Sequence, residues 1–362
     1  MNILIFLVIL ALLVVVHEFG HFIVAKKSGI RVDEFGLGFP PKLFGKKFGE
    51  TEYTLNAIPF GGFVKIYGEN PADVVDGGDA TRSMGHKSKW IQASVLAAGV
   101  SFNVIFAWLV ISLGLVFGLP SVANPEHPEE VKNAKVVLSS VMSKSPAEEA
   151  GLKAGDILVS LKTDELELKD GVTTETVRDF ILSSKAPIKI TYTRGTKTAE
   201  TTVSAKEGIS GNSRAIGISM DMIGILKLPV HQAFIRGAVM TERLFEVVAV
   251  NIFYFFLDAF SGQADLAQVA GPVGMVTLVG DAKDLGFSYL IFFTAMLSIN
   301  LAVINLIPFP ALDGGRLFIL LIEAVKRSPL NPKFVNGLNA VGFALLLLLM
   351  LVITYSDILK LF

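Results

Sequence analysis

From Ile3 to Ala25 the chain is apolar except for His17-Glu18-Phe19-Gly20-His21, which sets two imidazoles and a carboxylate inside the run. A bilayer span needs about 20 such residues, so the segment is predicted to be a transmembrane helix ending at Lys26-Lys27. Ionisable groups at membrane depth are costly and usually functional. On a helix, positions i and i+4 share a face, so His17 and His21 can hold one metal ion together. Glu18, one residue on, can face the water on that metal without being a ligand.

This spacing is the H-E-x-x-H signature of zinc metalloproteases. The chain has no cysteine, so a metal must be held by nitrogen and oxygen. Only 18% of residues are charged, against about 25% in an ordinary soluble domain, and the mean hydropathy is +0.58. That balance points to several membrane spans and a lipid bilayer as partner. A net charge of -1 argues against a nucleic-acid surface. The first segment lacks a basic leader and a small-residue cleavage site, so it reads as a retained span and not a signal peptide.

Three more long apolar stretches follow, at Ile91 to Leu119, Phe287 to Ile307 and Val341 to Tyr355. Lysines 26, 27, 42, 46, 47, 87 and 89 lie between the first two, and Lys326, Arg327 and Lys333 between the last two. The positive-inside rule makes both loops cytoplasmic. Phe234 to Phe260 is interrupted by Arg236, Glu242, Arg243 and Glu246, and its clean part is short for a span. It reads as an interfacial amphipathic helix. Glu52 to Tyr67, around Pro59-Phe60-Gly61-Gly62, reads as a β-hairpin close to the membrane. Asn70 to Lys89, with Gly77-Gly78, reads as a polar loop. The region from Ala134 to Ile223 has the alternation and turn residues of a small β-rich domain with two helices.

Catalytic zinc takes three protein ligands and a water. His86, His127 and His231 sit in polar or proline-flanked surroundings and read as surface residues. Asp313, in Asn305-Leu306-Ile307-Pro308-Phe309-Pro310-Ala311-Leu312-Asp313-Gly314-Gly315, is the better third ligand. Its competing reading is a cap for the helix that follows. Depth separates the two. His17 lies about 24 Å along an inward-running span at 1.5 Å per residue, and Asp313 lies at the cytoplasmic end of another. Asn305 holds the substrate backbone or oxyanion, or else makes a helix–helix hydrogen bond; the residues favour neither. Gly99 and Asn103, four apart, predict close helix packing with one amide bond across.

These motifs, with Gly36-Leu37-Gly38-Phe39, Ser145–Leu161 and Gly271-Pro272-Val273-Gly274, resemble the site-2 protease (peptidase M50) family, in the form of the bacterial regulators of sigma-E. The resemblance implies His17, His21 and Asp313 as zinc ligands and Glu18 as the catalytic residue. It implies that Phe60, Gly61, Gly62, Phe63, Val64 and Lys65 pair with an extended substrate. It further implies a PDZ domain in the extracytoplasmic space and residence in the bacterial cytoplasmic (inner) membrane, with the active site near its cytoplasmic side. Substrates would be single-span membrane proteins already cut by an upstream site-1-type protease, such as anti-sigma factors or remnant signal peptides. The enterobacterial members carry two tandem PDZ modules, whereas this chain has room for one.

The expected fold is therefore a multi-pass α-helical membrane protein with four transmembrane helices, a membrane-associated β-hairpin and one inserted α+β PDZ domain. Its expected parts are span 1 (1–27), a cytoplasmic-side loop with the re-entrant hairpin (28–90), span 2 (91–119) and the PDZ domain (130–223). An amphipathic interfacial region (224–285), span 3 (286–316), a cytoplasmic loop (317–334) and span 4 (335–362) complete it. Two rivals are a catalytically silent PDZ-bearing scaffold, disfavoured by the intact Glu18, and a metal transporter, disfavoured by the want of further polar residues or a repeat along the spans.

Overall fold

The computed structural model describes residues 1–69, 80–123, 131–195, 197–210, 213–262 and 269–359. His127 and Gly77-Gly78 lie outside them. In chain order the elements begin with α1 (Asn2–Lys27), β1 (Val32–Phe48), β2 (Thr51–Ile66), α2 (Lys89–Phe117), β3 (Leu119–Val122) and β4 (Val131–Val141). Next come α3 (Pro146–Glu149), β5 (Ile157–Lys162), β6 (Glu167–Leu168), α4 (Thr174–Ser183), β7 (Ile188–Arg194) and β8 (Lys197–Val203). β9 (Lys206–Ser210), β10 (Ser213–Ala215) and β11 (Ile218–Leu226) lead to α5 (Val230–Phe260), α6 (Pro272–Leu285), α7 (Phe287–Leu306), α8 (Asp313–Lys326) and α9 (Pro332–Leu359).

Among the described residues, α1, α2, α7 and α9 are long and apolar enough to cross a membrane. α5 is not among them, because its first half carries the four charges noted above. Two compact units emerge: Met1–Ser112 with Phe234–Gly280 and Phe293–Phe362, and Leu113–Ala233 with Asp281–Phe292.

In the first unit, α1 buries Ile9, Leu13, His17, Gly20, His21 and Ala25. These recur at intervals of three and four, so they form one stripe of the helix. The neighbouring sheet differs from the expected hairpin. The partners of Glu34 to Leu37 climb from Glu52 to Leu55 on one side and descend from Lys65 to Gly62 on the other. The two arms expected to pair with each other instead flank the first half of β1. Lys42 to Phe48 then closes against Thr51 to Asn56. Gly36 makes the arrangement possible, because a Cβ there would lie 2.7 Å from the Phe63 ring.

The span expected over 286–316 is two elements, since α7 ends at Leu306 and α8 opens at Asp313, with α8 running on through much of the expected 317–334 loop. α5 is tied to α2 where Trp108 Nε1 donates to the Phe234 carbonyl at 2.9 Å.

The second unit contains a seven-stranded sheet in the order β3-β11-β4-β5-β7-β8, with β6 on β5. α4 drops Val177, Phe180 and Ile181 onto it, against Val136, Leu138, Leu158, Leu161, Ile188 and Ile190. Ser145 caps α3 by accepting from the Glu148 amide, and β7 and β8 pair around Arg194-Gly195. Asp156, fully buried, receives Arg194 Nε and Nη2, each at 2.7 Å. Two turns distant in sequence are thereby clamped by a bidentate, charge-assisted pair.

In the first unit the β1–β2 turn is fastened by charge. Glu50 accepts from Arg82 Nη2 at 2.8 Å and from Lys26 Nζ at 2.6 Å. These two cations hold its carboxyl down to about 2. A carboxyl with a depressed folded pKa contributes stability that is complete above its free value of about 4.5 and is lost as pH falls toward about 2. Glu50→Gln is expected to lower stability by about 1 kcal/mol at pH 7, with the two chains converging near pH 2. Denaturation of both in detergent at several pH values checks this; a pH-independent gap would mean the charge pairs are not its source.

Candidate metal and catalytic centre

α1 brings the two histidines to one place because they lie four residues apart on its buried stripe. His17 is 8% exposed and His21 7%. α2 lies directly behind them. A Cβ on Gly99 would sit 2.7 Å from His17 Cε1 and 2.8 Å from His21 Cε1, so only glycine leaves room for both rings. His21 Nδ1 is 2.8 Å from the Val95 carbonyl, and the Asn103 side-chain amide is 3.1 Å from His17 Nδ1.

The chain between α7 and α8 delivers Asp313. Ala311 takes a positive φ of 73°, and its amide donates to Asn339 Oδ1 of α9 at 3.2 Å. Gly315 packs against the lead-in to its own helix, where a Cβ would approach Phe309 C to 2.6 Å. Asp313 Oδ2 consequently lies 3.0 Å from His17 Nε2 and 3.2 Å from His21 Nε2. The two Nε2 atoms are 3.3 Å apart. The helix-cap reading of Asp313 fails, because the N-cap of α8 is Leu312 and makes no side-chain cap bond.

This triangle fits zinc. Bonds of 2.0–2.1 Å at tetrahedral angles place ligand atoms about 3.3 Å apart. His17, His21 and Asp313 are also the group of possible ligands found among the described residues. Asp313 Oδ2 is buried without a hydrogen-bond donor, as expected of an oxygen that faces lone pairs and a cation.

Glu18 is half-buried beside the pair, and a Cβ on Gly62 would come within 3.3 Å of its Cγ. Of the expected substrate-pairing residues, Gly62 thus runs past Glu18, and Gly61 lies against the Phe39 ring. The Phe63 ring covers Gly36, Val64 packs into the core around Ile30 and Val32, and Lys65 is exposed. The side chain of Phe60 lies outside the described residues. Asn305 is half-buried, and its amide makes no hydrogen bond among the described residues. Asn103 meets a histidine ring, a role its spacing from Gly99 did not reveal.

Two further residues escaped the sequence reading. Ser298 Oγ donates to the Asn103 carbonyl at 2.8 Å. Arg316, one turn after Asp313, pairs with Glu69 and lies within electrostatic reach of Glu18. Arg316 and Glu69 line a cavity of about 630 Å³ with Gln92 and Glu323. A cation three residues beyond Asp313 at the end of an apolar stretch was the available signal for Arg316.

A buried His-His-Asp triangle with an adjacent glutamate, its histidines on a membrane-length helix, defines an integral membrane zinc metalloprotease. The chain belongs to peptidase family M50, whose pattern matches residues 5–349. It is 37% identical to a candidate zinc metalloprotease of Clostridium perfringens over 96% of this chain and 95% of that one. It is 29% identical to the regulator of sigma-W protease RasP of Bacillus subtilis, over 99% and 98%. A zinc metalloprotease RasP of Shouchella clausii is 31% identical over 99% and 98%. A Listeria monocytogenes PDZ domain aligns with 25% of this chain at 25% identity and a TM-score of 0.21.

Gly99→Ala is expected to displace both imidazoles and reduce zinc occupancy at least about tenfold, in the range seen when ligand-supporting residues are lost. Metal analysis of the purified variant checks this; full occupancy would show that α2 yields to the added methyl.

Proposed function

We propose that this chain hydrolyses peptide bonds inside the transmembrane segments of single-span proteins shortened beforehand by another protease, with anti-sigma factors and remnant signal peptides as the substrate types. The carrying observation is the 3.0–3.3 Å convergence of His17, His21 and Asp313, the two histidines coming from a helix whose length and composition suit a bilayer. The reading places the site near the cytoplasmic face of a bacterial inner membrane. It places residues 130–223 outside, as a single PDZ domain, with α5 along the interface.

His17, His21 and Asp313 hold the zinc in this reading. Zinc supplies Lewis acidity, polarising the scissile carbonyl and acidifying water at neutral pH. Glu18 accepts a proton as water adds to the carbonyl carbon, then returns it to the leaving amine as the C–N bond breaks. Gly62 to Lys65 offers the substrate a strand edge. One side of it pairs with Glu34 to Leu37, and the other pairs with no strand among the described residues. A substrate helix must unwind to use such an edge, because its amides are otherwise satisfied internally.

Three outcomes follow. Glu18→Gln should abolish cleavage of a truncated single-span reporter in membranes while retaining zinc; equal product from both chains would assign the activity elsewhere. A zinc chelator should stop cleavage and added zinc restore it, and metal flux without cleavage would mark a transporter. Replacing glycine or proline in the reporter span by leucine should slow cleavage; an unchanged rate would remove helix unwinding from the reaction.

A further inference from the structure

A neutral imidazole carries one proton, and a nitrogen that binds metal must be the other one. For His21 the choice is forced. Its Nδ1 faces the Val95 carbonyl at 2.8 Å, which only accepts, so Nδ1 bears the proton and the Nε2 lone pair points at Asp313. His17 has no backbone carbonyl in that place. Its Nδ1 faces the side-chain amide of Asn103, whose Nδ2 is placed at 3.1 Å; a half-turn of the amide exchanges Nδ2 and Oδ1, so the group can donate or accept. If the NH2 donates, the His17 proton moves to Nε2 and closes the metal position. If the carbonyl oxygen accepts, the Nε2 lone pair joins the triangle.

We propose that Asn103 is the positioning residue that readies His17 for zinc, by presenting its side-chain oxygen to the Nδ1 proton. Asn103 is fully buried, and its Oδ1 has no donor. The half-turn that brings Oδ1 to the Nδ1 proton gives this oxygen the donor it lacks and the imidazole the acceptor it needs. Ser298 of α7 donates to the Asn103 main-chain carbonyl at 2.8 Å and so fastens that turn of α2 to α7. The two histidines are therefore supported unequally. His21 relies on a main-chain oxygen that substitution leaves in place, whereas His17 relies on one side chain. This inference rests on the zinc-site reading above and adds the origin of its metal affinity.

The test measures zinc affinity of the full-length chain in detergent by competition with a chromophoric chelator, and records the visible spectrum of the cobalt-substituted form. Asn103→Leu, of similar volume, should weaken zinc roughly 10- to 100-fold, as loss of a histidine's outer partner does. Asn103→Asp, an acceptor when ionised, should bind zinc at least as tightly as the native chain and shift the cobalt bands. Native-like affinity in Asn103→Leu would overturn the proposal. So would an Asn103→Asp chain that folds, judged by the melting temperature of the metal-free form, yet binds zinc as weakly as Asn103→Leu. A native chain that binds no zinc would refute the metal centre itself, a result distinct from either.

Discussion

Three lone-pair atoms held within 3.3 Å of one another, among helices made mostly of Leu, Ile, Val and Phe, are unstable together unless a cation neutralises them. Burying a carboxylate costs several kcal/mol when nothing compensates it. The nearby structure serves this constraint. α1 aligns its histidines on its buried stripe, α2 gives up every side-chain atom at Gly99 to admit them, and α8 begins at Asp313 so that the carboxylate enters from the third side. Polar groups that do not face the metal are spent on the rings behind it.

The same economy explains the sheet beside the site. A strand near membrane depth needs its amides satisfied, and the first half of β1 achieves this with a partner on either side. The edge at Gly62 to Lys65 pairs with no second strand among the described residues, and it passes Glu18 at Gly62. The opening thus lies where an extended chain is wanted. Farther from the site, charge does the fastening: Glu50 ties the sheet's turn to Lys26 and Arg82, while Arg194 and Asp156 clamp the second unit.

Much of this was legible in the residues. Helical spacing of His17 and His21, the want of cysteine, and Asp313 after an apolar stretch were enough to single out the three side chains that the fold brings together. Depth counting brought Asp313 to the histidines without any contact information, and the two lie 3.0–3.2 Å apart. The pairing of residues 52–67 was misread, because a glycine turn between two apolar strands ordinarily makes a hairpin. Nothing local signals that a third segment will insert between its arms, although Gly36 marked where a ring would need space.

What the sequence determined by itself was a set of one-dimensional periodicities: which residues share a helix face, which runs match a bilayer, which donors suit zinc. These follow from fixed rise and turn, so they need no partner. The tertiary structure decided the partners: the Val95 carbonyl behind His21, Asn103 behind His17, Ser298 behind Asn103, and Arg316 against Glu69. Such contacts depend on the rotation and offset of one helix against another. That rotation is set by the summed packing of many side chains, and no single spacing in the chain encodes it.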